Sequence, residues 1–257
     1  MILYPVQPRN NTSIESIARH AGWFGLCTVC GRVVVFKPFS DNFRELGFCK
    51  RCNSSNRKRQ IAYLLRKFEK IHTYGKISTE KVILCTEAAG PLHDSLKHNP
   101  KYTGSEYLGE DYTSGEIING TRHENLLKTS FGDSSVDYVL SSDVMEHIPE
   151  PYTAFKEIHR ILKVGGRHIF TVPFYQADYF DEVRAHFYNG EIVNDMEPMY
   201  HLDPHNSEGI LVYNIFSIEM VLKLRKIGFR TIIHKLYSPS YGILGNNAII
   251  FESIKSS

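Results

Sequence analysis

Two cysteine pairs, Cys27-x-x-Cys30 and Cys49-x-x-Cys52, stand eighteen residues apart, and no other feature constrains the chain as much. Two thiolates on one tight knuckle can reach a single ion, and two knuckles complete a tetrahedron. Gly31 follows Cys30, where such a turn favours glycine, and Arg32-Val33-Val34-Val35-Phe36 reads as a strand between the knuckles. The spacing predicts a zinc ion held by Cys27, Cys30, Cys49 and Cys52. The alternatives are two disulfides or free thiols. The N-terminal stretch MILYPVQPRNNTS has no signal-peptide apolar block, and disulfides are rare in the cytosol. A closed four-thiolate site leaves no position for water, so the expected role is structural. Cys85 lies in an apolar run and is a core candidate.

The near-neutral net charge of +2 hides an asymmetry. Residues 1–75 hold 13 Lys+Arg against 4 Asp+Glu, and the remainder holds 17 against 24. A basic head on an acidic body points to an anion facing the head. After the second knuckle, Asn53-Ser54-Ser55 offers a helix cap, and Ile61, Leu64, Leu65 and Phe68 mark one helical face. Arg57, Lys58, Arg59, Arg66 and Lys67 fill the rest of that helix, either as a solvated face or as a polyanion contact.

At 257 residues the chain suits one large domain with a small appendage. We divide it into a basic head and linker helix, 1–75, and a body, 76–257. No apolar run reaches the ~18 residues of a membrane-spanning helix, so a cytoplasmic location without membrane contact is expected. The body alternates strands and helices. Strand candidates are Lys81–Cys85, Tyr102–Leu108, Asp137–Ser142, Arg167–Val172, Thr231–Leu236 and Asn247–Phe251; a helix with Ala154, Phe155, Ile158, Ile161 and Leu162 on one face stops at Gly165-Gly166. This alternation predicts an α/β fold with a doubly wound, mostly parallel sheet whose ligands bind beyond the carboxyl ends of the strands. Glu87, Glu106, Glu124 and Asp143 lie at or just after those ends.

The stretch FGDSSVDYVLSSDVMEHIPEPYTAFKEIHRILKVGGRHIFTVPF, residues 131–174, closely resembles the central part of class I S-adenosylmethionine-dependent methyltransferases of the type 11 kind. With the four-cysteine head, the chain resembles a zinc-ribbon subgroup of them. The resemblance implies a seven-stranded Rossmann-like sheet over about residues 80–252 and S-adenosylmethionine as cofactor. The turn Thr86-Glu87-Ala88-Ala89-Gly90 takes the place of a glycine-rich motif, keeping only Gly90; Glu87 would accept from the cofactor's ammonium. Glu106 would clasp the ribose diol with its two oxygens, with Glu110 and Asp111 as fallbacks. Glu124 and Asn125 would meet the adenine amine. Ser142 and Asp143 would lie where methyl donor and acceptor meet, unless Asp143 caps the next turn. Glu146 and His147 would orient the loop backbone.

The segment of about 174–215 reads as an acceptor lid rich in aromatic, His and Asp residues. His201 is the expected base and Asp203 its orienter or substitute, with His205 and His186 as rivals. A second metal in this lid is conceivable, but the spacing matches no tight ligand set. The leading expectation is O-methylation of a small molecule or glycan precursor, anionic through phosphate or nucleotide. RNA methylation with the head docking the backbone is the alternative, and a non-catalytic zinc-ribbon interaction protein is the third.

Overall fold

The computed structural model describes residues 12–256 except 204–205 and 246–247; of 12–13 and 202–208, only backbone is described where present. Helix α1 (Thr12–Ala21) leads into an antiparallel hairpin, β1 (Trp23–Cys27) and β2 (Arg32–Phe36). The tight turn between them holds Gly31 at φ +61°, and a Cβ there would lie 2.0 Å from the Gly75 carbonyl oxygen. Glycine is therefore required by both space and conformation. Phe36 bridges to Cys49, which brings the second knuckle to the first.

Helix α2 (Asn56–Phe68) follows, capped by Ser55 Oγ, which accepts from the Lys58 amide at 3.4 Å. Ile61, Leu64 and Leu65 are fully buried, as the apolar spacing predicts. The charged remainder corrects the sequence reading. Arg59 is 0% exposed and Arg66 3%, and Arg57 and Lys58 are engaged with body carboxylates. The helix carries neither a solvated cationic face nor a free polyanion-binding one, because it is packed between head and body.

In the body come β3 (Ile83–Cys85), α3 (Gly90–Leu96), β4 (Tyr102–Gly104), strand Val136–Ser142, α4 (Pro151–Ile161), strand Leu162–Thr171, α5 (Ile218–Ile227) and strands Phe229–Lys235 and Ile249–Lys255. The central sheet has six strands among the described residues. Its order is Phe229–Lys235, Ile249–Lys255, Leu162–Thr171, Val136–Ser142, β3, β4. The last four run parallel, and Ile249–Lys255 is antiparallel to both neighbours. The sheet is thus mixed.

After β4 the chain makes a single isolated parallel bridge, Glu106 with His123, rather than a further strand of the sheet among the described residues. The expected strand through Leu108 stops early because the Leu108 amide donates to His123 Nδ1 at 3.0 Å instead of to a neighbouring strand. A second difference lies at Gly165-Gly166. Helix α4 ends at Ile161, and the next strand starts at Leu162 and runs through both glycines. A Cβ on Gly166 would sit 2.8 Å from the Lys163 oxygen and 3.1 Å from the Asp137 oxygen. These glycines permit an irregular close approach of two strands.

Both sheet faces are covered. On one face, Ile61, Leu65, Leu92 and Leu96 pack with Ile83, Leu140 and Ile169. The same cluster continues into Val34, Phe36 and Phe39 of the head, so no packing break occurs at residue 75. On the other face, Phe155, Ile158, Met220 and Leu224 pack with Val139, Phe170 and Phe251. The lid is more regular than its sequence suggests. It forms three two-stranded antiparallel pairs, Glu182–Val183 with Asn214–Ile215, Ala185–Tyr188 with Glu191–Asn194, and Tyr200–Asp203 with Asn206–Leu211. No helix among the described residues is long and apolar enough to cross a membrane.

Candidate functional site

The four cysteine sulfurs come together, all within 4.8 Å of one another. Cys27 Sγ and Cys52 Sγ are 3.7 Å apart, close to the ~3.8 Å edge of a tetrahedron built on zinc–sulfur bonds of about 2.3 Å. The Arg51 and Cys52 amides each donate to Cys49 Sγ at 3.4 Å. All five cysteines are unbridged. Hydrogen bonds from Cys30, Cys49 and Cys52 lower the Cys27 thiol, while the same network raises Cys30 and Cys52.

Arg59 and Arg66 border this cluster. Arg59 donates to the carbonyls of Gly242 (2.8 Å) and Ser54 (2.6 Å), and its guanidinium lies 4.3 Å over the Phe36 ring. Arg66 donates to the carbonyls of Thr28 (2.7 Å), His72 (2.5 Å) and Gly75 (2.6 Å). Neither guanidinium forms an ion pair with a carboxylate among the described residues. Burial lowers both guanidinia, Arg59 to about 10, and the neighbouring cysteines oppose that shift. A buried cation needs such a counter-charge.

A second set of groups lines the carboxyl edge of the sheet. Glu87 follows β3, Glu106 follows β4, and Asp143 follows Val136–Ser142. Glu106 turns a carboxylate oxygen toward the Thr86–Gly90 turn and accepts from the Ala88 amide at 2.8 Å. Gly90 adopts φ +87° with open space where a Cβ would be, and the position of a Cβ on Gly104 lies 2.8 Å from the Glu87 carbonyl oxygen. The turn therefore packs tightly over β4 while Gly90 stays open. Ser142 is buried, its hydroxyl 3.4 Å from that of Thr171. Asp143 sits at φ +52° and accepts from Thr171 Oγ1 at 2.8 Å.

Glu124 and Asn125 are placed differently from the others. The Glu124 carboxylate accepts from Arg122 Nε at 2.9 Å and the Ser130 amide at 2.8 Å, and also from the Ser130 hydroxyl. The Asn125 side chain accepts from the Leu127 amide at 2.9 Å. Both hold the loop together, and as placed Glu124 has its acceptors committed there.

The head reaches into this edge, which the sequence did not reveal. Lys58 pairs with Glu87. Arg44 and Arg57 both pair with Asp143, and both also reach Glu45, Arg57 at 3.1 Å. Burial alone would raise the Asp143 carboxyl, but the Arg57 and Arg44 guanidinia hold it well below the usual carboxylate range. Three basic residues of the head, Arg44, Arg57 and Lys58, thus pair with the body's own acids.

Next to Asp143 is a third cluster. Glu146 lies on the one-turn helix Met145–His147 and is fully buried. Neither of its carboxylate oxygens meets a well-formed hydrogen-bond donor among the described residues. His201 Nδ1 stands 3.6 Å from Glu146 Oε1, and His147 Nε2 stands 3.8 Å from it. The two imidazoles meet edge to face with centroids 5.1 Å apart. Burial, then the Asp143 charge, raises Glu146 well above the ordinary carboxyl value. Burial lowers His201; Asp143 opposes this, while Arg44 and Arg57 reinforce it.

The structure therefore brings His201 to Glu146 and His147, the pair that the sequence reading takes as orienting the loop. Asp203 lies in strand Tyr200–Asp203, its side chain outside the described residues, as is His205 altogether. His186 is remote in role: it is half-exposed and pairs with Asp195 at 2.7 Å.

Residues 100–170 match the family model of a methyltransferase domain. No curated protein matches the sequence. Among solved structures, a 1,6-didemethyltoxoflavin-N1-methyltransferase from Burkholderia thailandensis, with bound 1,6-didemethyltoxoflavin and S-adenosylhomocysteine, is 15% identical with a TM-score of 0.48; the match covers 78% of this chain and 79% of that one. An S-adenosylmethionine dependent methyltransferase from Mesorhizobium loti is 13% identical with a TM-score of 0.44, covering 75% and 95%. A phosphoethanolamine N-methyltransferase 2 from Haemonchus contortus, in complex with S-adenosyl-L-methionine, is 15% identical with a TM-score of 0.45, covering 85% and 55%. Likeness this distant transfers no acceptor.

Proposed function

We propose that this chain, an S-adenosylmethionine-dependent methyltransferase by the domain it carries, methylates a hydroxyl of a small, anionic acceptor. When bound, S-adenosylmethionine supplies an electrophilic methyl group on a sulfonium. Glu106 and Glu87 are the residues we assign to its ribose and ammonium, with Gly90 giving the backbone close access and Ser142 and Asp143 flanking the methyl end. Zinc, held by Cys27, Cys30, Cys49 and Cys52, would be structural; it would fix the knuckles from which Arg44, Arg57 and Lys58 project.

The observation that carries the hydroxyl assignment is the position of His201. It stands 3.6 Å from buried Glu146 and beside Asp143, on the lid side of the edge where the cofactor's methyl would point. Burial keeps its imidazole neutral at pH 7, the state able to serve removal of a hydroxyl proton. Glu146 takes the orienting place that the sequence reading gave to Asp203. An anionic acceptor would have to draw Arg44 and Arg57 from their pairing with Asp143 and Glu45. Five of the head's basic residues, Arg44, Arg57, Lys58, Arg59 and Arg66, are turned to internal partners. That favours a small acceptor over an RNA backbone.

His201→Ala is expected to slow turnover by about 10²–10⁴-fold, the usual worth of a proton-transfer group, with S-adenosylhomocysteine affinity unchanged by calorimetry. Acceptors are best sought by screening phosphorylated sugars, nucleotide sugars and RNA fragments with labelled cofactor. Undiminished turnover in the variant would remove His201 from the proton step.

A further inference from the structure

We propose that Glu146, His147 and His201 form a binding site for a divalent first-row transition metal, distinct from the cysteine cluster. Three independent observations meet here. Glu146 is a fully buried carboxylate, and neither of its oxygens meets a well-formed hydrogen-bond donor among the described residues. A buried unpartnered acid is costly and calls for a ligand that neutralises it. His147 is fixed through Nδ1 on the Leu211 carbonyl oxygen at 2.8 Å, which turns Nε2 toward Glu146. That is the arrangement by which backbone carbonyls orient metal-ligating histidines. His201 presents Nδ1 to the same carboxylate oxygen.

The dimensions fit an ion after a small contraction. The one ligand atom from each of the three residues lies within 4.8 Å of the other two, with separations of 3.8 Å and 3.6 Å to Glu146. Ligands at about 2.1 Å from one ion lie roughly 3.0–3.4 Å apart in octahedral or tetrahedral geometry. Two nitrogens and one carboxylate oxygen suit Zn²⁺, Mn²⁺, Fe²⁺ or Co²⁺ better than Mg²⁺ or Ca²⁺, which prefer oxygen alone. The His201 side chain is 34% exposed, so further coordination positions open toward the lid. The sequence reading allowed a second metal only within the lid, where the spacing matches no tight ligand set; Glu146 and His147 lie outside it, on a one-turn helix more than fifty residues before His201. The fold supplies the missing adjacency.

Binding of the ion stands by itself, but its use rests on the acceptor site proposed above. An acceptor hydroxyl on an open position would be acidified by the ion. Its O–H bond would break with the proton passing to solvent, while the new O–CH₃ bond forms and the sulfur–methyl bond breaks. His201 would then serve the proton step as a ligand.

The test is a titration of Mn²⁺ into the full-length protein, followed by calorimetry and electron paramagnetic resonance, after a mild chelation that leaves the cysteine-held zinc in place by elemental analysis. One Mn²⁺ per chain is expected. Glu146→Gln and His201→Ala should each weaken it by at least 30-fold, whereas His186→Ala should bind as wild type. Co²⁺ in this site should lack the thiolate charge-transfer absorption that marks exchange into the cysteines. If Glu146→Gln folds poorly, the half-exposed His201 position decides. No ion beyond the cysteine zinc, or equal binding by His201→Ala, overturns the site. S-adenosylhomocysteine affinity is measured on the same samples: its absence with metal bound counts against the methyltransferase reading alone, and its presence without metal counts against this inference alone.

Discussion

Cys49→Ser is expected to strip the metal from the head and to abolish cofactor binding, although residue 49 lies outside the cofactor pocket. The reasoning runs through the fold. Cys49 and Cys52 start the turn that leads into α2, and Arg57 and Lys58 on the first turn of α2 hold Asp143 and Glu87. Arg44, between the knuckles, is the second partner of Asp143. Structural zinc contributes an apparent ~10–16 kcal/mol in small metal-folded peptides, as much as the whole ~5–15 kcal/mol stability of a typical domain. Removing a ligand also strands Arg59 and Arg66, buried cations whose counter-charge is the thiolate cluster. The core shared by Phe36, Phe39, Ile61 and Leu65 then propagates the damage into the sheet. The expected result is zinc below one-tenth of an equivalent, a melting temperature lower by more than about 10 °C, and no measurable S-adenosylhomocysteine binding. A variant with full zinc content and an unchanged melt would show that the cysteines hold no ion that matters.

Glu106→Ala should weaken S-adenosylhomocysteine by about 10²–10³-fold. Hydrogen bonds to a charged acceptor are worth about 1.5–3 kcal/mol each, and loss of two near the lower end of that range costs roughly 3–4 kcal/mol, about two to three decades at 1.4 kcal/mol per tenfold. Glu106 also accepts from the Ala88 amide at 2.8 Å, so alanine also loosens the turn. Glu106→Gln separates the two effects. It keeps an acceptor for Ala88 but loses the charge and one diol contact, and about a tenfold loss is expected. Calorimetric affinities within twofold of wild type for Glu106→Ala would show that the diol lies elsewhere.

What the sequence made legible was local. Two C-x-x-C knuckles are defined by neighbours in the chain, and their convergence in space follows from spacing alone. Glu87, Glu106 and Asp143 were found because acids just past strand ends share one edge of a parallel sheet, whatever the remainder of the fold. The interactions that define the site were long-range and left no local trace. Arg44 and Asp143 are 99 residues apart, and Lys58 and Glu87 are 29 apart. Arg59 and Arg66 read as helix-surface charges, since nothing in a helical period says that both sides of a helix are covered. The lid hairpin Ala185–Tyr188 with Glu191–Asn194 eluded the reading for a related reason. Glu191–Asn194 is exposed throughout, so no alternation of apolar and polar residues marks it as a strand. Glu124 shows what position alone leaves open, because its carboxylate also ties a loop through Arg122 and Ser130.

The most direct measurement is a crystal structure of the full chain with S-adenosylhomocysteine. The account predicts the nucleoside at the sheet's carboxyl edge, both ribose hydroxyls within about 3 Å of the Glu106 carboxylate, and the sulfur facing Asp143 and His201. A nucleoside bound away from that edge, or none at millimolar ligand, would contradict it.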